Sequence, residues 1–212
     1  MRSRIQARRT RRARAVFVDR DGTLNEMVYD DTHGIMDSPR RPAQVRLRKG
    51  AAAFVRGAKA LGFKVVVVTN QPGIAKNTLT VAELNAVNAR VAELLKKGRA
   101  TWAALEYCPH HPDGDRKCRA KYVKNCTCRK PKPGLILRAA RKLGVDVKRS
   151  WMIGDGLNDV QAGRAAGCRT IWVGRMKPEH VERFFGSRKC EPDAAASDLA
   201  GALRIIKEAE AS

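Results

Sequence analysis

The chain has 212 residues, enough for one α/β domain with a substantial core and too few for two domains of ordinary size. Hydrophobic residues make up 43% of it, and no uninterrupted apolar run approaches the ~20 residues of a membrane-spanning helix, so no membrane partner is expected. The 43 Lys and Arg residues against 21 Asp and Glu give a formal charge of +22. That predicts attraction to anions, without choosing between a metabolite phosphate, a nucleic acid and a lipid headgroup.

Met1 to Arg14 is arginine-rich, contains no acidic residue and lacks the apolar stretch of a secretory signal. It reads as a disordered basic arm ahead of a single domain over 15–212, and it predicts a cytoplasmic protein. Such an arm suits nucleic acid, resembles an organelle transit segment, or serves as a solvated tail. Ala15-Val16-Phe17-Val18 is a first strand. Glu26 to Arg48 is polar and proline-containing and reads as an irregular excursion, in which Tyr29 to Gly34 with Arg40 and Arg41 suit the rim of a substrate site. Ala51, Phe54, Val55, Ala58 and Leu61 recur at helical spacing before Gly62, and Val65 to Val68 is a β-branched run buried on both faces.

Thr80 and Glu83 form a capping box ahead of a helical stripe through Leu84, Val87, Val91 and Leu95. A short strand covers Ala103 to Tyr107, and a second excursion runs to Pro131. Pro133 opens a helix that ends at Leu143 and Gly144; Ser150 to Gly154 is a strand, Leu157 to Ala166 a helix closed by Gly167, and Thr170 to Val173 another strand. Ser197 caps a last helix through Ile206. Strands alternating with helices predict a doubly wound, Rossmann-like parallel sheet with its ligands at the carboxyl ends of the strands. His33 and His180 read as solvated loop histidines, Cys168 and Cys190 as ordinary thiols, and Trp102, Trp151 and Trp172 as packing residues.

Three strand ends carry polar residues: Asp19-Arg20-Asp21-Gly22-Thr23-Leu24-Asn25, Thr69-Asn70-Gln71 and Gly154-Asp155-Gly156-Leu157-Asn158-Asp159. Asp19 and Asp21, two apart on an extended chain, project toward one site, and Asp155 completes an oxygen environment suited to Mg2+. One carboxylate can attack phosphorus while another manages protons. Lys130, Thr69 and backbone amides are the donors that would neutralise charge on the equatorial oxygens.

This ordered set resembles the haloacid dehalogenase-like phosphohydrolases from Ala15 onward. Val68 to Ala75 and Cys126-Thr127-Cys128-Arg129-Lys130-Pro131-Lys132-Pro133-Gly134 resemble the branch containing the heptose 1,7-bisphosphate phosphatases and the related histidinol-phosphatase. The resemblance implies Asp19 as nucleophile, Asp21 as the acid and base, and Mg2+ held by Asp19, Asp155 and the backbone carbonyl of Asp21. It implies Thr69 and Asn70 on the phosphoryl oxygens, Lys130 balancing charge, Arg129 on the substrate and Asp159 as support behind the metal. It further implies a domain without a large cap. Gly156 departs from the lysine that the heptose phosphatases often carry there.

Cys108-x-His110 and Cys126-x-Cys128 supply three thiolates and one imidazole for a closed structural Zn2+ site, with Cys118 and His111 near enough to be alternative ligands. The same branch carries zinc in this loop, where it would pin the segment presenting Arg129 and Lys130. The function that the resemblance implies is removal of the 7-phosphate of a sugar bisphosphate, D-glycero-D-manno-heptose 1,7-bisphosphate, through an aspartyl-phosphate. The alternatives are histidinol-phosphate phosphatase and a nucleic-acid-binding protein or polynucleotide end phosphatase that acts through the basic arm.

Overall fold

Successive side chains of a strand point to opposite faces of its sheet, and in β1 (Arg14–Val18) both sets are apolar. Val16 and Val18 join one hydrophobic core and Ala15 and Phe17 another. Such a strand requires cover on both sides, the condition a doubly wound parallel sheet meets. The computed structural model describes residues 12–31, 34–176, 183, 185, 186 and 190–211. Residues 1–11 of the basic arm, His33 and His180 lie outside them.

β1 pairs in parallel with β4 (Phe63–Asn70) on one side and β6 (Trp151–Gly154) on the other. β5 (Ala104–Cys108) extends the sheet beyond β4, and β7 (Arg169–Val173) and β8 (Ala194–Ala196) extend it beyond β6. The order β5-β4-β1-β6-β7-β8 reverses direction at the β1/β6 boundary. A crevice opens at such a switch point outside the strand ends. Helices α1 (Ala51–Ala60), α2 (Val81–Lys97) and α5 (Leu199–Ala211) cover the Val16 face through Phe54, Val87, Ala202 and Ile206. Helices α3 (Gly134–Leu143) and α4 (Leu157–Ala166) cover the Phe17 face through Leu135, Ile136, Ala139 and Ala162.

The helix signals act where the sequence puts them. Thr80 Oγ1 accepts from the Glu83 amide at 3.1 Å, and Glu83 Oε2 accepts from the Thr80 amide at 2.7 Å. Gly144 and Gly167 close α3 and α4 in the left-handed conformation. The last helix differs, because Asp198 takes the place expected of Ser197: its Oδ1 accepts from the Gly201 amide at 2.8 Å.

Three further differences have physical causes. Arg14 belongs to the fold, since its guanidinium lies 4.3 Å from the Phe63 ring centre and donates to the Leu61 carbonyl at 2.7 Å; the basic arm therefore ends earlier than Arg14. Glu26 to Arg48 contains an antiparallel hairpin of β2 (Val28–Asp30) and β3 (Ile35–Asp37), too short to carry an alternating period. Arg40 secures it by bonding Asp37 at 2.6 Å and Asp30 at 3.4 Å. β8 is three alanines, which have little strand preference of their own; pairing with β7 makes them a strand.

Candidate active site

Asp19 follows directly on β1, and its amide donates to the Ile153 carbonyl of β6 at 2.9 Å. Its side chain meets Lys130, whose Nζ lies 2.7 Å from Asp19 Oδ1, 2.5 Å from Asp159 Oδ1 and 2.9 Å from the Val68 carbonyl. Lys130 is 3% exposed, so its charge acts in a medium of weak screening. Burial pulls its pKa down, but Asp159 and Asp19 outweigh burial and push it up, keeping the ammonium charged.

Asn70, at the end of β4, fixes where that ammonium sits. Its Nδ2 donates to the Lys130 carbonyl at 3.0 Å and its Oδ1 accepts from the Lys130 amide at 3.0 Å. Both ends of the Asn70 side-chain amide are thus engaged by the Lys130 backbone. Thr69 sits beside it, buried, with Oγ1 accepting from Gln71 Nε2 at 2.9 Å. Since that oxygen has accepted, its own hydroxyl proton is left to donate.

The Asp21 carboxylate is held by three neighbouring side chains. Arg20, fully buried, holds it bidentately, Nε to Oδ1 at 3.0 Å and Nη2 to Oδ2 at 2.9 Å. Asn25 Nδ2 donates to Oδ1 at 3.0 Å and Gln71 Nε2 to Oδ2 at 2.7 Å. Burial alone would raise the Asp21 pKa; the Arg20 charge and these bonds hold it below the ordinary carboxylate value. In this arrangement Asp21 is an anion, so the acid role expected of it requires a change of surroundings. Arg20, Asn25 and Gln71 lie in the strand-end motifs without an expected role. Their signal is charge and amide groups where an apolar strand ends.

Asp155, just beyond β6, is fixed from two sides. Thr23 Oγ1 donates to its Oδ1 at 2.8 Å, and the Trp172 indole Nε1 donates to its backbone carbonyl at 2.7 Å. Trp172 was expected only to pack; its ring does so edge-on against Phe185, with centroids 5.6 Å apart, while its N–H steadies the Asp155 loop. Gly22 has φ +84°, and a Cβ there would lie 2.2 Å from Asp155 Oδ2. Only glycine lets the loop and the carboxylate approach so closely. Asp159 is anchored by both oxygens: Oδ1 meets Lys130, and Oδ2 accepts from the Gly156 amide at 3.0 Å.

Carboxylate oxygens of Asp19, Asp155 and Asp159 lie within 4.8 Å of one another. Burial raises the Asp19 pKa, Lys130 opposes the rise, and the charges of Asp159, Asp155 and Asp21 add to it. Asp155 is likewise raised by burial and by Asp159. Three acids against one lysine leave an excess of negative charge, and the donors are all oxygen. This fits a hard divalent cation such as Mg2+.

The second cluster gathers Cys108, His110, Cys126 and Cys128 at the end of β5 and in the loop leading to α3. The S···S separations are 3.3, 3.3 and 3.6 Å, and His110 Nδ1 lies 3.4 and 3.7 Å from Cys128 and Cys108 Sγ. Zn–S bonds of ~2.3 Å set tetrahedral edges of about 3.8 Å, so the group has the size of a zinc tetrahedron, and all six cysteines are free of disulfides. Burial, then Lys124 and Arg138, lowers the His110 pKa and favours the neutral imidazole that binds metal. His111 faces elsewhere, its Nδ1 2.8 Å from the Asp113 carbonyl, and Cys118 is not in the group. Arg129, one residue past the cluster, donates to the His110 carbonyl at 3.2 Å.

The profile of the HAD-hydrolase-like family matches residues 127–202. The chain is 35% identical over 195 residues to the D-glycero-beta-D-manno-heptose-1,7-bisphosphate 7-phosphatase of Photorhabdus laumondii, covering 92% of this chain and 97% of that protein. It is 36% identical over 165 residues to the enzyme of the same name from Escherichia coli K12, covering 77% and 81%. A crystal structure of D,D-heptose 1,7-bisphosphate phosphatase from B. bronchiseptica, complexed with magnesium and phosphate, superposes with a TM-score of 0.72 at 26% identity, covering 92% of this chain and 99% of that one. The chain therefore belongs to the haloacid dehalogenase-like phosphatases, in the branch of the heptose bisphosphate phosphatases, and is a phosphoric monoester hydrolase.

Proposed function

We propose that this chain removes the 7-phosphate of D-glycero-D-manno-heptose 1,7-bisphosphate in a Mg2+-dependent reaction that passes through an aspartyl-phosphate on Asp19. The observation carrying this is the Asp19 carboxylate at the end of β1, held 2.7 Å from a buried Lys130 ammonium beside Asp155. The substrate rests on the relatives named above.

When bound by Asp19, Asp155 and the Asp21 carbonyl, Mg2+ supplies the charge that lets an anionic nucleophile approach an anionic phosphate. Asp19 bonds to phosphorus as the bond to the sugar oxygen breaks, and that oxygen leaves with a proton from Asp21. Water then attacks phosphorus, Asp21 takes its proton, and the Asp19–phosphorus bond breaks to restore both side chains. Asp21 is ionised while Arg20 holds it, so its donor role draws on the incoming phosphate, whose negative charge raises a neighbouring carboxyl pKa. Lys130 and the Thr69 hydroxyl neutralise the equatorial oxygens. Arg129 reaches the sugar from the cysteine loop, and Zn2+ on Cys108, His110, Cys126 and Cys128 holds that loop in place. Phosphate release with Mg2+ from the heptose bisphosphate and from histidinol phosphate, with Asp19→Asn as the blank, tests the assignment. Preference for the heptose ester that vanishes in Asp19→Asn is expected. Preference for histidinol phosphate overturns the substrate, and turnover surviving in Asp19→Asn overturns the nucleophile.

A further inference from the structure

The phosphatase chemistry occupies the carboxyl ends of the strands and leaves the opposite end unexplained. There Arg14 begins β1, Lys148 and Arg149 precede β6, and Arg169 begins β7. Together with Trp151 and Glu210 they line a concavity of 510 Å3. The chain enters the fold through this face, since Arg149 Nη1 donates to the Arg12 carbonyl at 3.4 Å. Immediately before it in sequence come Arg2, Arg4, Arg8, Arg9 and Arg11. Glu210, the one acid of the lining among the described residues, is taken by Arg14.

We propose that this face binds the phosphate backbone of a nucleic acid, independently of base sequence. Its cations come from the starts of neighbouring strands, spread along one edge of the sheet, and a run of arginines precedes them in sequence, a distribution of charge that suits a linear polyanion more than one small phosphate. The aromatic residue of the face does not offer itself for base stacking: Trp151 is 2% exposed and lies under the Arg169 guanidinium, 4.0 Å from its ring centre. That stack supports the arginine and leaves only charge to be read. A membrane surface is the poorer partner. The exposed large hydrophobic residues Tyr29, Ile35, Met36 and Met176 belong to the β2/β3 hairpin and the segment after β7, at the catalytic end, so the basic face has no such anchor among the described residues. β1 runs from Arg14 to the residue before Asp19, which separates the two ends by roughly 16 Å at ~3.3 Å per residue. Nucleic acid held here leaves the catalytic crevice open.

The test is fluorescence anisotropy of a fluorescein-labelled DNA duplex of arbitrary sequence against the full chain and Lys148→Glu/Arg149→Glu, titrated with KCl. The unaltered chain is expected to bind at low salt with an affinity falling log-linearly as KCl rises. The double variant should bind about tenfold more weakly, with a salt slope shallower by about 2, one for each lost phosphate contact. Its melting temperature and phosphate release should be unchanged, because neither residue touches the catalytic carboxylates. No binding by the unaltered chain at 50 mM KCl, equal affinity and slope in the variant, or binding to phosphatidylserine vesicles without binding to DNA would each overturn the proposal.

Discussion

At the scale of single residues, the site is organised by side chains that never need to touch a substrate. Asn70 spends both ends of its amide on the Lys130 backbone, and Gln71 bridges Asp21 to Thr69. Trp172 is the sharpest case, because one N–H separates its bonding role from its packing role. Trp172→Phe keeps a ring against Phe185 and removes the donor to the Asp155 carbonyl. The lost bond is worth about 1 kcal/mol, and Asp155 then keeps its bond from Thr23 but loses the one on its backbone carbonyl. Calorimetric titration of the variant should give a Mg2+ dissociation constant several-fold higher, with kcat at saturating Mg2+ nearly unchanged. An unaltered Mg2+ affinity would leave Trp172 a packing residue only.

At the scale of elements, the two excursions from the sheet obey different constraints. The β2/β3 hairpin is held at its base by Arg40 with Asp30 and Asp37 and leaves Tyr29, Ile35 and Met36 more than half exposed. The loop between β5 and α3 is instead gathered around its four sulfur and nitrogen donors, and it delivers Arg129 and Lys130 directly from Cys128. Cys126→Ser should therefore lower zinc content, measured by atomic absorption of the purified protein, and lower the melting temperature with it. Activity should fall as well, because Lys130 reaches Asp19 only from an ordered loop. A variant that loses zinc yet melts and turns over like the parent would separate the loop from the site.

The same scale shows what the sequence made legible. Strongly patterned helices such as α2 and α3 carry their own start or stop signals, and strand-end carboxylates stand out because polar residues interrupt apolar runs. The cysteine cluster was equally visible with His110 as its fourth donor, since thiol and imidazole spacing is a local property, and the fold of the loop turns the alternative His111 to the Asp113 carbonyl. The β2/β3 hairpin and β8 were hidden because three-residue strands owe their state to a partner. The orientation of Asp21 was hidden for a related reason. Nothing in Asp19-Arg20-Asp21 says that the arginine turns back on its neighbour, a contact decided by Asn25, Gln71 and Asn88 converging from other segments, the last 2.5 Å from Arg20 Nη1.

At the scale of the whole molecule, the acid cluster ties folding stability to pH. Burial, opposed by Lys130 and reinforced by Asp159, Asp155 and Asp21, raises Asp19 from 3.8 to about 8. Between those two values the folded state keeps a proton that the unfolded state has released. Stability without metal therefore falls as pH rises through that window, by up to about 1.4 kcal/mol per pH unit for one group. Mg2+ takes the place of that proton: it binds the ionised carboxylates, so raising the pH strengthens its binding while weakening the metal-free fold. The melting temperature gained on adding Mg2+ over EDTA should accordingly be small near pH 5 and grow steadily to pH 8. In Asp19→Asn the growth should be largely lost, because the asparagine has no proton to exchange. A gain that is equal at both ends of the range would mean that Mg2+ binds without displacing the proton on Asp19, and the cation would then belong to Asp155 and its neighbours alone.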